Sequence, residues 1–325
     1  MSSNAMNIGL GLPQVGVFAD PAITRRVAIE AERAGFDSLW TVDRLLNPLG
    51  HPAAPSSAAR AAASGHPTRA GALDPFLTLT LAAAVTDRIQ LGTGVVIAPL
   101  YSPVLLGRSA ASLDRISNGR FTLGLGLGRS ADDYAAVGLP YSDLQVRIEQ
   151  VLEVLARVWR DEIVEIETSR ETIVPSYIAP KPVRGQRMPL LLATYRPAGL
   201  ERIARRADGW ITTGLPLETV GQRWSTVLQI AQRYGRDAST LRLVVRADVH
   251  LTGTAAGRAR PAFTGSITQI RSDIERARHL GVHEIILDLQ ATATSEQQLM
   301  DLSFELADGS LKSAPRHHTT TTKAA

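Results

Sequence analysis

Eight short apolar segments alternate along this chain with eight longer segments whose apolar residues recur every three or four positions, and this rhythm limits the fold more than any other feature. The short segments read as strands over Asn7–Leu12, Asp37–Thr41, Ile89–Val96, Phe121–Leu127, Leu190–Ala193, Trp210–Thr213, Leu241–Val249 and Glu284–Leu289. The longer ones read as amphipathic helices over Ile23–Ala34, Pro75–Val85, Pro103–Ile116, Leu144–Trp159, Pro197–Arg206, Leu217–Tyr234, Ile267–Leu280 and Glu296–Ala307. Proline follows Asp20, Asp74, Ser102 and Arg196, where a first helical turn tolerates it, and Gly35, Gly209, Gly235 and Gly281 stand as stop signals. Strict strand–helix alternation of this kind predicts an α/β chain folded as a (β/α)8 TIM barrel rather than an open sheet.

Three segments break the rhythm and are expected as inserted loops after strands 2, 4 and 7. Residues 44–74 are rich in proline, alanine and serine; residues 161–189 carry a β-rich insertion ending in APKPVRGQRMP; residues 250–266 are rich in glycine, alanine and arginine. Loops on the strand-to-helix side build the mouth of such a barrel, and the first reads as a mobile lid. Residues 6–309 are expected to form one domain, residues 1–5 to be an expression remnant, and residues 310–325 a disordered tail.

Composition narrows the function classes. Cysteine is absent, which excludes disulfides, thiolate metal sites and a cysteine nucleophile. No apolar run approaches the roughly 18 residues of a membrane helix, and no secretion signal opens the chain, so a cytoplasmic protein without membrane contact is expected. The sequence pI is about 9.7, yet the net charge is only +4, and the basic clusters lie on helical faces among acidic residues without interleaved aromatics. No nucleic-acid partner is expected. The histidines form no metal-ligand spacing, and no nucleophile elbow appears.

Glycine inside strands is the most informative local pattern. In FTLGLGLG, Thr122, Gly124, Gly126 and Gly128 share one face while Phe121, Leu123, Leu125 and Leu127 share the other. Gly9 and Gly11 alternate likewise in the first strand, and Gly92 and Gly94 in the third. With the leucine face turned toward the helices, the glycine faces point into the barrel and leave flat-walled space for a planar, multi-ring cofactor; tight packing against bulky residues from other strands is the competing reading. GLGLG does not continue as a dinucleotide fingerprint, because Arg129 stands where the third glycine is needed.

AGFDSLWTVDRLLNP, DRIQLGTGVVIAPLYSPVLLGRSAASLDRISNGRFTLGLGLGRSADDYAAVG, APKP and ARRADGWITTG together resemble the luciferase-like monooxygenase superfamily, in particular its coenzyme F420-dependent oxidoreductase branch. The resemblance spans roughly residues 7 to 306. It implies hydride transfer between F420 and a small organic substrate. It implies that Asp43, Gly94, Val95, Gly126, Gly128, Arg129, Ser130 and Thr194 hold the cofactor, with a non-prolyl cis peptide at Gly94–Val95 behind its ring. Phosphate is expected beside Gly128-Arg129-Ser130 and Thr194-Tyr195-Arg196. Related enzymes often place an acid/base histidine after the aspartate; here Arg44 stands there, and a permanently charged guanidinium can clamp an anion or orient substrate but not shuttle protons. Arg44 and His250, which ends the seventh strand, are therefore the expected substrate-facing residues. Two rivals stay open: an FMN-dependent two-component monooxygenase of the same fold, fed reduced flavin by a partner enzyme, and a non-catalytic flavin-binding or deazaflavin-binding barrel. The resemblance also implies a homodimer.

Overall fold

A computed structural model describes residues 6–47, 71–168, 170–185, 187–257 and 259–307. The expected remnant at 1–5, the tail from 310 and most of the 44–74 loop lie outside the described residues. The parallel strands are β1 (Asn7–Gly11), β2 (Ser38–Thr41), β3 (Gln90–Thr93) with its continuation β4 (Val96–Ile97), β5 (Phe121–Gly126), β8 (Leu190–Leu192), β9 (Gly209–Thr213), β10 (Arg242–Asp248) and β13 (Glu284–Asp288). Their order is β3-β2-β1-β13-β10-β9-β8-β5-β4, and the β3–β5 pairing closes the ring. Counting β3 and β4 as one interrupted strand gives the eight-stranded barrel that the alternation predicts.

Helices α1 (Pro21–Ala34), α2 (Pro75–Ala83), α3 (Pro103–Ile116), α5 (Leu144–Arg160), α6 (Pro197–Arg206), α7 (Leu217–Arg233), α8 (Ile267–His279) and α9 (Glu296–Ala307) cover the outside, and a short α4 (Ala131–Ala136) follows β5. Their starts are specified locally. The Asp20 carboxylate accepts from Ala22 N at 2.7 Å, Asp74 accepts from Phe76 N and Leu77 N at 2.9 Å, and Ser266 with Gln269 forms a capping box. Gly35, Gly235 and Gly281 do adopt the left-handed conformation at helix ends. Gly209 instead opens β9, where its missing Cβ lets the Arg242 carbonyl approach.

The 161–189 insertion contains an antiparallel hairpin of β6 (Ile163–Glu167) and β7 (Thr172–Tyr177), and the 250–266 loop a small parallel pair, β11 (His250–Leu251) and β12 (Thr264–Gly265). Among the described residues no helix is long and apolar enough to cross a membrane.

Alternation sorts the core into two regions. Leu123 and Leu125 face outward into the large core shared with the helices. A separate inner cluster fills the barrel: Trp40, Leu191, Ile211, Val244 and Ile286. Trp40 corrects part of the glycine reading. A Cβ on Gly92 would collide with its indole, and one on Gly9 would lie 3.1 Å from it. Those glycines accommodate a tryptophan from the neighbouring strand, not a cofactor. The indole Nε1–H is shared between Ser38 Oγ and Glu284 Oε1, each at 2.8 Å, and the hydroxyl of Ser38 donates to Glu284 at 2.5 Å. Arg242 pairs with the other oxygen of Glu284 at 2.5 Å, so the buried carboxylate is neutralised as well as hydrogen-bonded.

The plug generates a test. Gly92→Ala should destabilise the fold by about 1–3 kcal/mol through overpacking. Combined with Trp40→Leu, which vacates the contested space, it should cost less than the sum of the two single changes by roughly 1 kcal/mol. Denaturant titration of the two single variants and the double variant measures this coupling; strict additivity would contradict the packing account.

Candidate active site

Above the tryptophan plug, at the C-terminal ends of the strands, lies a cavity of about 990 Å³. It is lined by residues that follow β2 (Val42, Asp43, Arg44), by the junction between β3 and β4 (Gly94, Val95, Ile97), by the end of β5 and its loop (Gly126 to Ser130), by Ala193 to Arg196 after β8, and by β9 and β10 (Ile211 to Thr213, Arg246, Asp248). The structure thus brings together nine of the ten residues singled out from the sequence. His250 is the exception: it pairs with Thr264 in the small β11–β12 ladder and does not line the cavity.

The wall between the third and fourth strands is a bulge. Gly92 pairs with Thr122, but Val96 pairs with Leu125, so three residues, 93–95, oppose two, 123–124. Within it the Gly94–Val95 peptide is cis, as the resemblance implies. Several groups of the bulge find partners outside the ladder. Gly94 N donates to Thr41 O at 2.7 Å, Asp43 N donates to Val95 O at 3.3 Å, and Ile97 N donates to the Asp43 carboxylate at 3.0 Å. The Thr93 hydroxyl donates to Gly124 O and accepts from Gly124 N, both at 2.9 Å. The glycine face of β5 has its explanation here: a Cβ on Gly124 would strike the Thr93 carbonyl, and one on Gly126 would sit 2.6 Å from Val95. Gly128, at φ +66°, needs the left-handed conformation as well, and a Cβ there would meet Ile97 at 2.8 Å.

Asp43 ties β2 to this bulge. Its Oδ2 accepts from both Ile97 N and the Tyr101 hydroxyl, the latter at 3.1 Å. Burial pushes its pKa up, the nearby carboxylates Asp74 and Asp133 push the same way, and the two hydrogen bonds oppose them without winning.

At the rim, Arg129 makes no ion pair among the described residues; its guanidinium lies over the Tyr195 ring, 5.6 Å from the centroid. The Tyr195 hydroxyl is fixed on Thr213 O at 3.0 Å. Ser130 caps α4 by accepting from Asp133 N at 3.4 Å, and Thr194 Oγ1 accepts from Arg196 N at 3.1 Å. Arg129, Ser130 and Arg196 edge one side of the cavity with potential donors to an oxyanion, next to Thr194, whose hydroxyl donates to Arg196 O at 3.3 Å.

Further round the mouth stands a group of charges centred on Arg246, a residue that sequence reasoning passed over. Arg246 Nε donates to Asp288 Oδ2 at 3.0 Å, and its Nη2 lies 2.7 Å from Asp288 and 3.1 Å from Asp248. Burial alone would lower the guanidinium pKa, but the two carboxylates more than offset this and hold it above its ordinary value. Thr213 Oγ1 donates to Asp248 Oδ2 at 2.9 Å, while Asp248 Oδ1 is buried with no hydrogen-bond partner among the described residues. The 3.1 Å approach of Arg246 to that oxygen is an ion pair without hydrogen-bond alignment. Arg242, Val244, Arg246 and Asp248 alternate on one strand; charges on the inward face of a barrel strand were the readable signal.

The donor set and the space fit a flavin-type cofactor. The volume is near the upper end of small-molecule sites, the inner wall at Val95 and Ile211 is apolar, and polar and cationic side chains edge one rim.

Comparison with known proteins agrees with this geometry. The luciferase-like monooxygenase family profile matches residues 6–315. An uncharacterised protein of Mycobacterium tuberculosis is 33% identical over 210 residues, covering 60% of this chain and 69% of that protein. An F420-dependent glucose-6-phosphate dehydrogenase of Kineococcus radiotolerans is 28% identical over 217 residues, covering 65% and 57%. The crystal structure of monooxygenase RslO1 from Streptomyces bottropensis superposes with a TM-score of 0.75 at 22% identity, covering 92% of this chain and 98% of that one. This chain belongs to the luciferase-like monooxygenase family and is an enzyme of that family.

The Asp43 anchor predicts a pH signature. A carboxyl whose pKa is higher folded than unfolded binds its proton more tightly in the native state, so its stabilising contribution is full below the unfolded value of about 3.9 and is lost as pH rises through the native value. Asp43→Asn keeps an oxygen acceptor without the charge, so wild type should lose stability relative to this variant as pH rises above about 4. Asp43→Ala, which strands Ile97 N and the Tyr101 hydroxyl, should cost about 1–3 kcal/mol at any pH. Thermal melts across that pH range check both; a flat difference between wild type and Asp43→Asn would refute the assignment.

Proposed function

We propose that this enzyme is a cytoplasmic oxidoreductase that transfers hydride between the deazaflavin coenzyme F420 and a small organic substrate. One observation carries the reading: a cavity of about 990 Å³ at the strand ends, walled on its inner side by Val95 and Ile211 and edged at its rim by Arg129, Ser130 and Thr194. A flat conjugated ring system with a phosphate-bearing tail matches both parts. When bound, F420 supplies the two-electron chemistry of hydride exchange.

The residues of the chain supply position and environment. Val95 and the bulge, held rigid by Asp43 and Thr41, back the ring. Arg129, Ser130 and Thr194 hold the phosphate as charge-assisted and neutral donors. Arg246, held between the two carboxylates Asp248 and Asp288, makes the other wall polar. Arg44 faces the substrate. Ile211 and the tryptophan plug below exclude water from beneath the reacting atoms.

A second reading, FMN in place of F420 with a partner enzyme providing reduced flavin, draws support from the family's monooxygenase members and from the likeness to RslO1. Anaerobic titration of the protein with each cofactor, followed by quenching of its four tryptophans, separates the two. F420 should bind with micromolar affinity, and Arg129→Gln should weaken it about tenfold or more through loss of a charged hydrogen bond. Binding of FMN alone would reverse the order of the two readings, and binding of neither would sink both.

A further inference from the structure

Arg44 is a half-buried, cavity-lining arginine three residues past β2 that has carboxylates around it, Asp288, Asp133 and Asp248, but none in direct contact. Among the described residues it makes no ion pair and no hydrogen bond. The adjacent carboxylate, Asp43, turns its Oδ2 to Ile97 N and Tyr101 and makes no ion pair with Arg44. Arg246 takes up the two carboxylates across the cavity, Asp248 and Asp288, each within 4 Å of it and neither within that distance of Arg44. Residues 48–70 contain no aspartate or glutamate and carry two further arginines, Arg60 and Arg69. Burial, with the like charge of Arg246, lowers the Arg44 pKa, and the more distant carboxylates Asp288, Asp133 and Asp248 oppose this without restoring it, so the guanidinium is only partly compensated. A side chain left so is expensive unless something anionic joins it.

We propose that Arg44 is the recognition group for an oxyanion carried by the substrate, a carboxylate on a small organic molecule, and that it restricts the enzyme to acidic substrates. This rests on the oxidoreductase reading and names the substrate class for the same site. The alternative source of an oxyanion is the cofactor phosphate. Position favours the substrate: Arg44 ends the second strand, whereas the donors Arg129, Ser130 and Thr194 follow the fourth and fifth strands, two and three staves around the barrel. A planar guanidinium also suits a carboxylate in particular, since two parallel N–H groups meet two oxygens.

Benzoate and its neutral counterpart benzamide are the probes, titrated calorimetrically into the protein both without cofactor and with whichever of F420 or FMN binds, with cofactor absorbance as a second readout. Wild type should bind benzoate about tenfold or more tightly than benzamide, the range of a charged hydrogen-bond pair. Arg44→Gln should erase the preference and Arg44→Lys retain part of it, with circular dichroism showing that both variants are folded. Arg129→Gln should leave it intact. Equal binding of the two probes by wild type, or a preference that survives Arg44→Gln, overturns the proposal. So does an Arg44→Gln variant that loses its discrimination between FMN and riboflavin, because the oxyanion held would then be the cofactor phosphate. If neither cofactor binds but the benzoate preference still depends on Arg44, the cofactor reading fails and the substrate-class assignment stands.

Discussion

Closing eight parallel strands into a ring creates an interior that side chains must fill, and in this chain Trp40 is the largest member of the cluster that fills it, with Leu191, Ile211, Val244 and Ile286. Trp40 reaches from β2 across Gly92 and Gly9, and its only polar atom is held by Ser38 and Glu284. Apolar packing and a buried polar network therefore converge on one residue. The plug sets the floor of everything above it: where the indole ends, the cavity begins, and the side chains of Ile211 and Val95 finish the apolar surface. Without a bulky group at that height, the barrel would need larger residues on the glycine positions, and those would in turn push the bulge between β3 and β4 out of place.

Two charged layers bracket the apolar centre. Below it, Arg242 neutralises Glu284; above it, Arg246 bridges Asp248 and Asp288. Neither layer is an efficient source of stability, because withdrawing ions from water offsets most of their mutual attraction. Their arrangement matters more for position. The lower layer is fully satisfied and locks the tryptophan. The upper layer is left short by one hydrogen bond at Asp248 Oδ1, and it faces the cavity. Satisfied polar groups below and an unfilled acceptor above are what a scaffold with a binding site at one end requires.

The fold was legible because it depends on repetition. Each strand and helix is encoded by short-range periodicity, with proline and glycine marking the boundaries, and the barrel follows from the alternation. The cavity residues at the fourth and fifth strand ends were legible for a similar reason, since a glycine-rich strand running into Arg129 and Ser130 is local in sequence. What the sequence concealed is contact between strands. Glycine in a strand says that something comes close, not what: Gly124 and Gly126 yield to the bulge, Gly92 to Trp40, and Gly11 to Asp288. His250 was placed at the mouth by its position at the end of a strand, but one residue past β10 the chain turns into the β11–β12 pair and carries it away. Arg246 was missed because a charged residue in an apolar strand reads as ambiguous until its partners from a strand about forty residues later are brought beside it.

The bulge shows how a local irregularity becomes a site. Inserting one residue between β3 and β4 would ordinarily leave unpaired backbone groups in a buried wall, each costing about 1–3 kcal/mol. Here the extra groups are taken up by Thr41, Thr93 and Asp43, so the irregularity is retained at little energetic cost. The return is shape. Val95 is turned across the space that Gly126 gives up, and the ladder resumes at Val96 with the cavity wall already offset from the barrel axis. Asp43 makes this possible only by remaining dehydrated among other carboxylates, which raises its pKa. Immediately after it the chain places Arg44, whose charge the same environment also leaves poorly solvated. An acid with its hydrogen bonds supplied by the protein and a base without any stand side by side, and that asymmetry directs the unmet demand of the site toward an anion from outside.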